Sequence, residues 1–296
     1  MEKYGLTVLI GLAFGTLARL YMLRIDYRQY PSYPHGAVTH ISLGFIAAAL
    51  GSVAIPALAE KEFTAVTFLA LAAQQFREIR NMEREMLTQL EEAALVRRGL
   101  DYIEGIARVF EARNYLVMVT ALATSSANYF AGWPYAVLTG LICIFLNTFV
   151  MRGRMIGDIA EVVPARLHFE GAFLKVDHIV IMNVGLKASR EKILAEGLGV
   201  LIKPKDDNAR ATLHNAGQRQ AILHVAASLL GTKREVGEQE WTPLVRKDID
   251  TGALGLFILP VEKDMECLIE AIKKVPVLES AKTRPLSSKA GRCAAD

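Results

Sequence analysis

The sequence predicts a polytopic α-helical membrane domain of about five spans followed by a soluble α+β or α/β domain, and three observations carry that reading. The chain of 296 residues is 52% hydrophobic and only 22% charged, with mean hydropathy +0.26, too apolar for a typical soluble enzyme. The apolar residues are concentrated in the first half: Tyr115 to Met151 contains no Asp, Glu, Lys or Arg in 37 positions, whereas the chain after Met151 has ordinary globular composition. Basic residues in the first half cluster between alternate apolar runs, as membrane topology requires.

Taken in order, each run is judged against the roughly 20 apolar residues that a helix needs to cross a ~30 Å hydrocarbon core. Tyr4 to Leu23 is the first span, interrupted only by Arg19, whose long stem is expected to carry its charge out to the headgroups. It is read as retained, because Lys3 is a meagre basic region and Leu23-Arg24-Ile25 is no cleavage site. Gly36 to Ala59 has no charge in 24 residues and is the second span. Phe63 to Phe76 is uncharged for only 14 residues, so its length does not decide. Tyr115 to Met151 would extend ~55 Å as one helix. Its Ala131-Gly132-Trp133-Pro134-Tyr135 centre therefore reads as a turn between two spans.

Charge settles the count. With five crossings, Arg24 and Arg28, the seven arginines from Arg77 to Arg113, and Arg152 with Arg154 share one side, and only Lys3 and Lys61 fall opposite. The N-terminus is then outside and the second half of the chain cytosolic. Gly11 with Gly15, and Gly44, Ala48 and Gly51, are spaced for close helix packing in lipid, against sister helices or in a homo-oligomer. Ser125, Ser126, Asn128 and Asn147 read as interhelical glue, and the absence of Asp or Glu at that depth argues against a proton pathway. Residues 1–151 thus form the membrane domain, the lipid bilayer its first partner. Residues 77–113 form a charged helical cytosolic loop in which Glu78, Arg80, Glu83, Arg84, Glu91, Glu92, Arg97 and Arg98 mix signs at helical spacing.

Residues 152–163 read as a linker ended by Pro164, and 164–281 as the soluble domain. His178 to Val184, Val200 to Ile202 and Leu254 to Leu259 have the pattern of strands, with Val275 to Leu278 a fourth at an edge because of Pro276. Ala188 to Leu198, Asn208 to Leu230 and Glu262 to Lys274 have that of helices, the second capped by Asp206 or Asp207. The tail 282–296, with Pro285, Ser287, Ser288 and Gly291, is expected to be mobile.

A net charge of +3 gives no footprint for nucleic acid. Cys143, Cys267 and Cys293 have neither metal-ligand spacing nor an even count. The histidines at 35, 40, 168, 178, 214 and 224 pair with nothing at ligand spacing, and no nucleotide, zincin or serine-nucleophile motif occurs, so no metal or cofactor is expected. One tripeptide carries a chemical alternative. Asp250-Thr251-Gly252 matches the loop in which aspartic proteases hold an aspartate that shares a proton with a second one, supplied in retroviral-type enzymes by a homodimer partner. The preferred reading is a simple turn ahead of Leu254. A weaker dyad would join Asp101 to Asp158.

The loop ends in Leu100-Asp101-Tyr102-Ile103-Glu104-Gly105-Ile106-Ala107-Arg108-Val109-Phe110-Glu111. Asp101, Glu104 and Arg108 share one helix face, with Ile103, Ile106, Ala107 and Phe110 on the other. Gly105 inside a helix costs ~1 kcal/mol relative to Ala, which predicts close backbone approach or a kink. Tyr102 to Ala107 spells YIEGIA, and the chain resembles the family of membrane proteins from endospore-forming bacteria named for that string. The resemblance implies a sporulation-associated protein with a multi-span first half and a soluble second half. It carries no catalytic residue over. The reading taken is a membrane protein that positions its cytosolic domain to bind an unidentified protein partner, with Asp101, Tyr102, Glu104, Gly105 and Arg108 as the interaction residues. The competing reading is a membrane-tethered aspartic protease using Asp250, since sporulating bacteria have a membrane protease of similar layout.

Overall fold

Five long helices open the chain: α1 (Gly5–Asp26), α2 (Pro34–Ala59), α3 (Phe63–Glu91), α4 (Leu100–Ala131) and α5 (Trp133–Val150). They are seen in a computed structural model, which describes residues 4–26, 34–92, 94–151, 153–235, 238–239, 241–282 and 289. The tail beyond Lys282, with Pro285, Ser287, Ser288, Gly291 and Cys293, lies outside the described residues apart from Lys289, as do Lys3, Arg28 and Arg152. Among the described residues three stretches, Gly5–Leu23, Ala37–Ala59 and Trp133–Val150, are long and apolar enough to cross a membrane. The turn expected at 131–135 is there: α4 stops at Ala131 and α5 starts at Trp133, with Gly132 at φ +92°, a left-handed conformation that only glycine adopts without strain.

The small residues pack sister helices. A Cβ on Gly15 would lie 2.7 Å from that of Ala48, and one on Gly11 2.9 Å from that of Ser52, so α1 and α2 approach almost backbone to backbone. A Cβ on Gly51 would overlap the Met118 carbonyl of α4. Polar side chains lock the same seams: Ser125 Oγ donates to the Ser52 carbonyl at 2.8 Å, Asn128 Nδ2 to Thr7 Oγ1 at 2.7 Å, and Asn147 Nδ2 to Thr120 Oγ1 at 3.1 Å. Ser126 instead bonds back to Leu122 of its own helix.

Arg19 corrects the sequence reading. Its side chain does not reach outward; it is 1% exposed. Nη2 sits 2.8 Å from His40 Nδ1 and Nε donates to the His40 carbonyl at 3.2 Å, while the guanidinium stacks 5.6 Å from the centre of the Phe110 ring. Gly44 leaves room for the arginine stem, which a Cβ there would overlap. Glu83 and Arg113, both buried, are close enough to act electrostatically on His40 and Arg19 respectively.

After α5 come α6 (Ile156–Ile159), β1 (Ala160–Ala165), β2 (Leu167–Glu170), β3 (Phe173–Val176), β4 (Ile179–Asn183), α7 (Lys187–Glu196), β5 (Leu198–Pro204), α8 (Asp207–His214), α9 (Ala216–Leu230), β6 (Arg234–Glu235), β7 (Glu238–Gln239), β8 (Leu244–Lys247), β9 (Leu254–Ile258) and α10 (Met265–Lys273). Every strand pairing is antiparallel: a four-stranded sheet ordered β1-β5-β9-β8, a three-stranded meander β2-β3-β4, and the short β6-β7 ribbon. Antiparallel pairing resolves the expected α+β or α/β domain as α+β. Its core joins Leu174, Val176, Ile179 and Ile181 of the meander to Leu201 and Phe257 of the larger sheet and Leu259 just past β9, with Ile193 of α7.

Several boundaries differ from the sequence expectation. The span 152–163, expected as a linker ahead of a domain starting at 164, includes α6 and most of β1, which pairs with β5 from Ala160↔Pro204 to Ala165↔Gly199. Pro164 sits inside that strand, tolerated because β1 is an edge and its missing N–H breaks no central ladder. The helix expected over Asn208 to Leu230 is two helices, broken where Asn215 leaves the helical conformation to cap α9 by accepting from Gln218 N at 3.0 Å. Asp206 does cap α8, accepting from Ala209 N at 2.6 Å. Val275 to Leu278 forms a single bridge, Met155↔Pro276, in place of a strand.

The chain divides into two units, each described by itself: a helical unit, 1–86 with 106–152, and an α+β unit, 87–105 with 153–296. The loop tip 87–105, expected with the membrane domain, therefore belongs to the α+β unit.

Candidate functional site

Within the α+β unit the tip of the α3–α4 hairpin is fixed from both sides. The buried carboxylate of Glu91, at the end of α3, accepts from the backbone N–H groups of Arg98 and of Gly99, the latter at 3.1 Å, tying off the loop. Gly99, at φ +89°, turns the chain into α4, and its carbonyl accepts from Tyr102 N and Ile103 N. On the other side α9 presents Gln220, His224 and Ser228, four residues apart and so on one face. Gln220 Nε2 donates to the Arg97 carbonyl at 2.5 Å, and His224 Nδ1 lies 2.6 Å from the Val96 carbonyl. Burial pushes the His224 pKa down, so the ring is neutral near pH 7 and Nδ1 carries the proton it donates.

The signature hexapeptide starts here. Tyr102 is buried against His224, edge to face with ring centres 6.4 Å apart, and burial pushes its phenol pKa up. Tyr102, expected among the interaction residues, is thus packed within the unit as an anchor. Asp101 lies against Gly217 in the first turn of α9, where a side chain on Gly217 would overlap its carboxylate and where negative charge complements the helix end. Ile103, Ile106, Ala107 and Phe110 are all buried, while Glu104 is half-buried and Arg108 exposed, so the two helix faces divide as the spacing predicted. Gly105 departs from expectation. A Cβ there would meet only Leu278 Cδ2, at 3.9 Å, an ordinary contact, so close approach does not account for this glycine. The backbone N–H of Leu278 in turn donates to Gln218 Oε1 at 2.8 Å, and Gln218 Nε2 donates to the Pro276 carbonyl, leaving this fully buried amide satisfied on both sides.

Beside this anchor runs a groove of about 770 Å³, walled by Thr88 and Glu91 from α3, by Glu92, Leu95, Val96, Arg97 and Leu100 from the tip, by Gln220 and Leu223 from α9, and by Thr242, Pro243 and Leu244 ahead of and within β8. Leu100 is 71% exposed and Leu95 42%. Both line the groove.

The Asp250-Thr251-Gly252 tripeptide lies at the tip of the β8–β9 hairpin. Asp248 organises it, accepting from Thr251 Oγ1 at 2.5 Å, Thr251 N at 3.3 Å and Asp250 N at 3.4 Å, while its own backbone pairs with Gly252 and Ala253. Gly252 takes φ +72°. The bond from the Thr251 hydroxyl holds the Asp248 carboxyl down at a pKa of about 2, with His178, 3.3 Å away, adding to it. Asp250 and Thr251 are exposed. Each of these features belongs to a self-contained turn. Asp158 caps α6 by accepting from Met155 N, an engagement separate from the seat of Asp101 on α9.

Sequence reasoning found the hexapeptide but missed Glu91, Gln220 and His224 as its supports. The signal available was the Gln220, His224, Ser228 spacing. Their acceptors are backbone carbonyls, which leave no mark in a sequence.

Comparison with known proteins agrees with the hexapeptide. The family model described as "YIEGIA protein" matches residues 7–288. A Bacillus subtilis (strain 168) protein described as "Uncharacterized protein YphB" is 46% identical over 285 residues, covering 96% of each chain. No solved structure matches.

Proposed function

The chain belongs to the YIEGIA family, and from that premise we propose that it is a multi-pass membrane protein of sporulation that holds its α+β unit at the membrane to bind a protein partner in the groove beside the hexapeptide. The groove carries this reading: it is large, lipped by open leucines, and built on a tip whose position is fixed by Glu91, Gln220 and His224. A rigid support that is not itself covered is how a binding surface is presented. Membership of a family found in endospore formers supports the sporulation role.

For topology we infer five crossings with the N-terminus outside and the α+β unit in the cytosol. Support comes from the arginine clusters, from the uncharged first half of α3, and from the uncharged stretch of α4 beyond Asn114. Cys267, exposed on α10, should be unreactive toward a membrane-impermeant thiol reagent in intact cells; labelling before permeabilisation would overturn the orientation.

The partner reading is tested by Leu95→Asp with Leu100→Asp, which charges the groove lip without touching the anchors. Spore yield is expected to fall at least about tenfold, the effect of losing one or two interface anchors of ~1.4 kcal/mol or more, with membrane protein level unchanged on a blot. Wild-type spore yield at normal protein level would sink it.

A further inference from the structure

The α+β unit has a second cavity, of about 320 Å³, which the docking reading does not use. One wall forms where the start and end of the unit pair: Val277 N donates to the Arg154 carbonyl at 2.8 Å, and Ile156 N to the Val275 carbonyl at 2.9 Å. That pairing brings Arg154 and Lys282 to line the same space. Among the described residues neither cationic head has a hydrogen-bond or ion-pair partner. Asp206 also lines the cavity, but its carboxylate is engaged with Ala209 N of its own helix. Asn208 contributes a buried side-chain oxygen with no partner, a position where the amide, turned about, offers a donor. Thr212, whose hydroxyl donates back to the Asn208 carbonyl, also lines it, with Ile159 and Val277.

Location gives these groups a ligand. Arg154 follows Val150, the last residue of α5, by four positions. At no more than ~3.6 Å per residue it stays within roughly 14 Å of that helix end. α5 is one of the three stretches long and apolar enough to cross a membrane. A cation so tethered reaches the headgroup layer, where basic pockets next to a span take up anionic lipids.

We propose that this cavity binds the phosphate of an anionic phospholipid headgroup. Arg154 offers a planar fork to two phosphate oxygens and Lys282 a point charge, while Asn208 donates to a third. The space exceeds a bare phosphate and accommodates the esterified alcohol beyond it. The inference rests on α5 lying in the bilayer, and not on the groove or its partner.

The test uses the full chain in detergent micelles, with native mass spectrometry counting bound phospholipid. Phosphatidylglycerol is expected to be retained and phosphatidylethanolamine lost. Arg154→Ala and Lys282→Ala should each weaken phosphatidylglycerol binding roughly fivefold, the effect of about 1 kcal/mol per basic residue near a lipid surface, and Arg154→Lys should fall between. Both variants leave the backbone pairing intact, and Lys282 is exposed, so helical content by circular dichroism should match the wild type. Equal retention by the wild type and a folded Arg154→Ala/Lys282→Ala variant would overturn the site, as would equal retention of the two lipids. Displacement by millimolar inorganic phosphate would overturn the lipid as its source. A chain recovered from the soluble fraction would instead refute the membrane premise, a failure distinct from loss of the site.

Discussion

The two units are built inside out relative to each other. In the helical unit the fully buried side chains include Arg19, Asn114, Thr124 and Ser125, while Leu9, Leu138, Phe145 and Phe149 are more than half exposed. In the α+β unit the order is reversed: Leu174, Ile193, Ile202, Phe257 and Ile258 are buried, and among the described residues no charged side chain but Glu91 is. Apolar surface is removed from water wherever a protein can manage it. A unit that turns its leucines and phenylalanines outward and its hydrogen-bonding groups inward is matched to a hydrocarbon surrounding, in which buried polar groups hold helices together and apolar contact with the surroundings costs nothing.

This contrast can be broken most severely at the α+β core. Phe257→Ala should destabilise that unit by about 3–5 kcal/mol, whereas Phe145→Ala, on an open helix face, should change the stability of the helical unit by under ~0.5 kcal/mol. Chemical denaturation of the full chain in detergent, followed by Trp241 fluorescence in a Trp133→Phe background, reads the first; circular dichroism reads the second. Comparable costs would show that both units are built against water. Next in size is Arg19→Ala. Removing a buried charge from its setting with His40 and Glu83 should cost about 3 kcal/mol, read as a fall in thermal stability in detergent, and a cost under ~1 kcal/mol would mean that the polar interior does not hold the helices.

Smaller effects sharpen the comparison where the units meet in sequence. Gly105→Ala should stabilise the protein by up to ~1 kcal/mol, because the new methyl meets one ordinary contact and helix propensity improves. A loss of stability in the same thermal assay would restore a packing role for this glycine. Smallest is Thr251→Val, which removes the strongest bond to Asp248 and should raise its pKa from about 2 toward 3.8, measurable by NMR titration. The sign follows from the depressed value: the contribution of this carboxylate is complete above pH 4 and is lost as the pH falls toward 2, so the variant should flatten that part of the acid unfolding curve. An unchanged pKa would mean that the Thr251 hydroxyl does not bind the carboxylate.

What could be read from sequence follows the same division. β5 and β9 were legible because both faces of each are buried, so Leu198–Ile202 and Leu254–Ile258 are almost unbroken apolar runs. The edge strands of that sheet were not: β1 carries Glu161 and Pro164, β8 ends in Arg246-Lys247, and neither has a clean alternation. Gly132 and the uncharged runs announced the helices. Arg19 misled, because a long basic side chain near a helix end reads as reaching outward, and only the space left by Gly44 shows that it turns inward. At the candidate site the hexapeptide was legible as a string, with its faces correctly divided. Its supports were not, because Gln220 and His224 bind carbonyl oxygens more than a hundred residues away.

The discontinuous make-up of the α+β unit has a consequence for how the chain is made. Residues 87–105 leave the ribosome at least 125 residues before the end of α9, on which they dock. At about 5–20 residues per second of synthesis the tip waits roughly 6–25 seconds, while α4, α5 and much of the α+β unit are being made. Throughout that interval Tyr102 lacks the His224 ring that covers it, and the nascent tip is a natural client for a chaperone. A C-terminal fragment beginning at 153 has the converse defect: it carries the Gln220 and His224 face with nothing to lay on it.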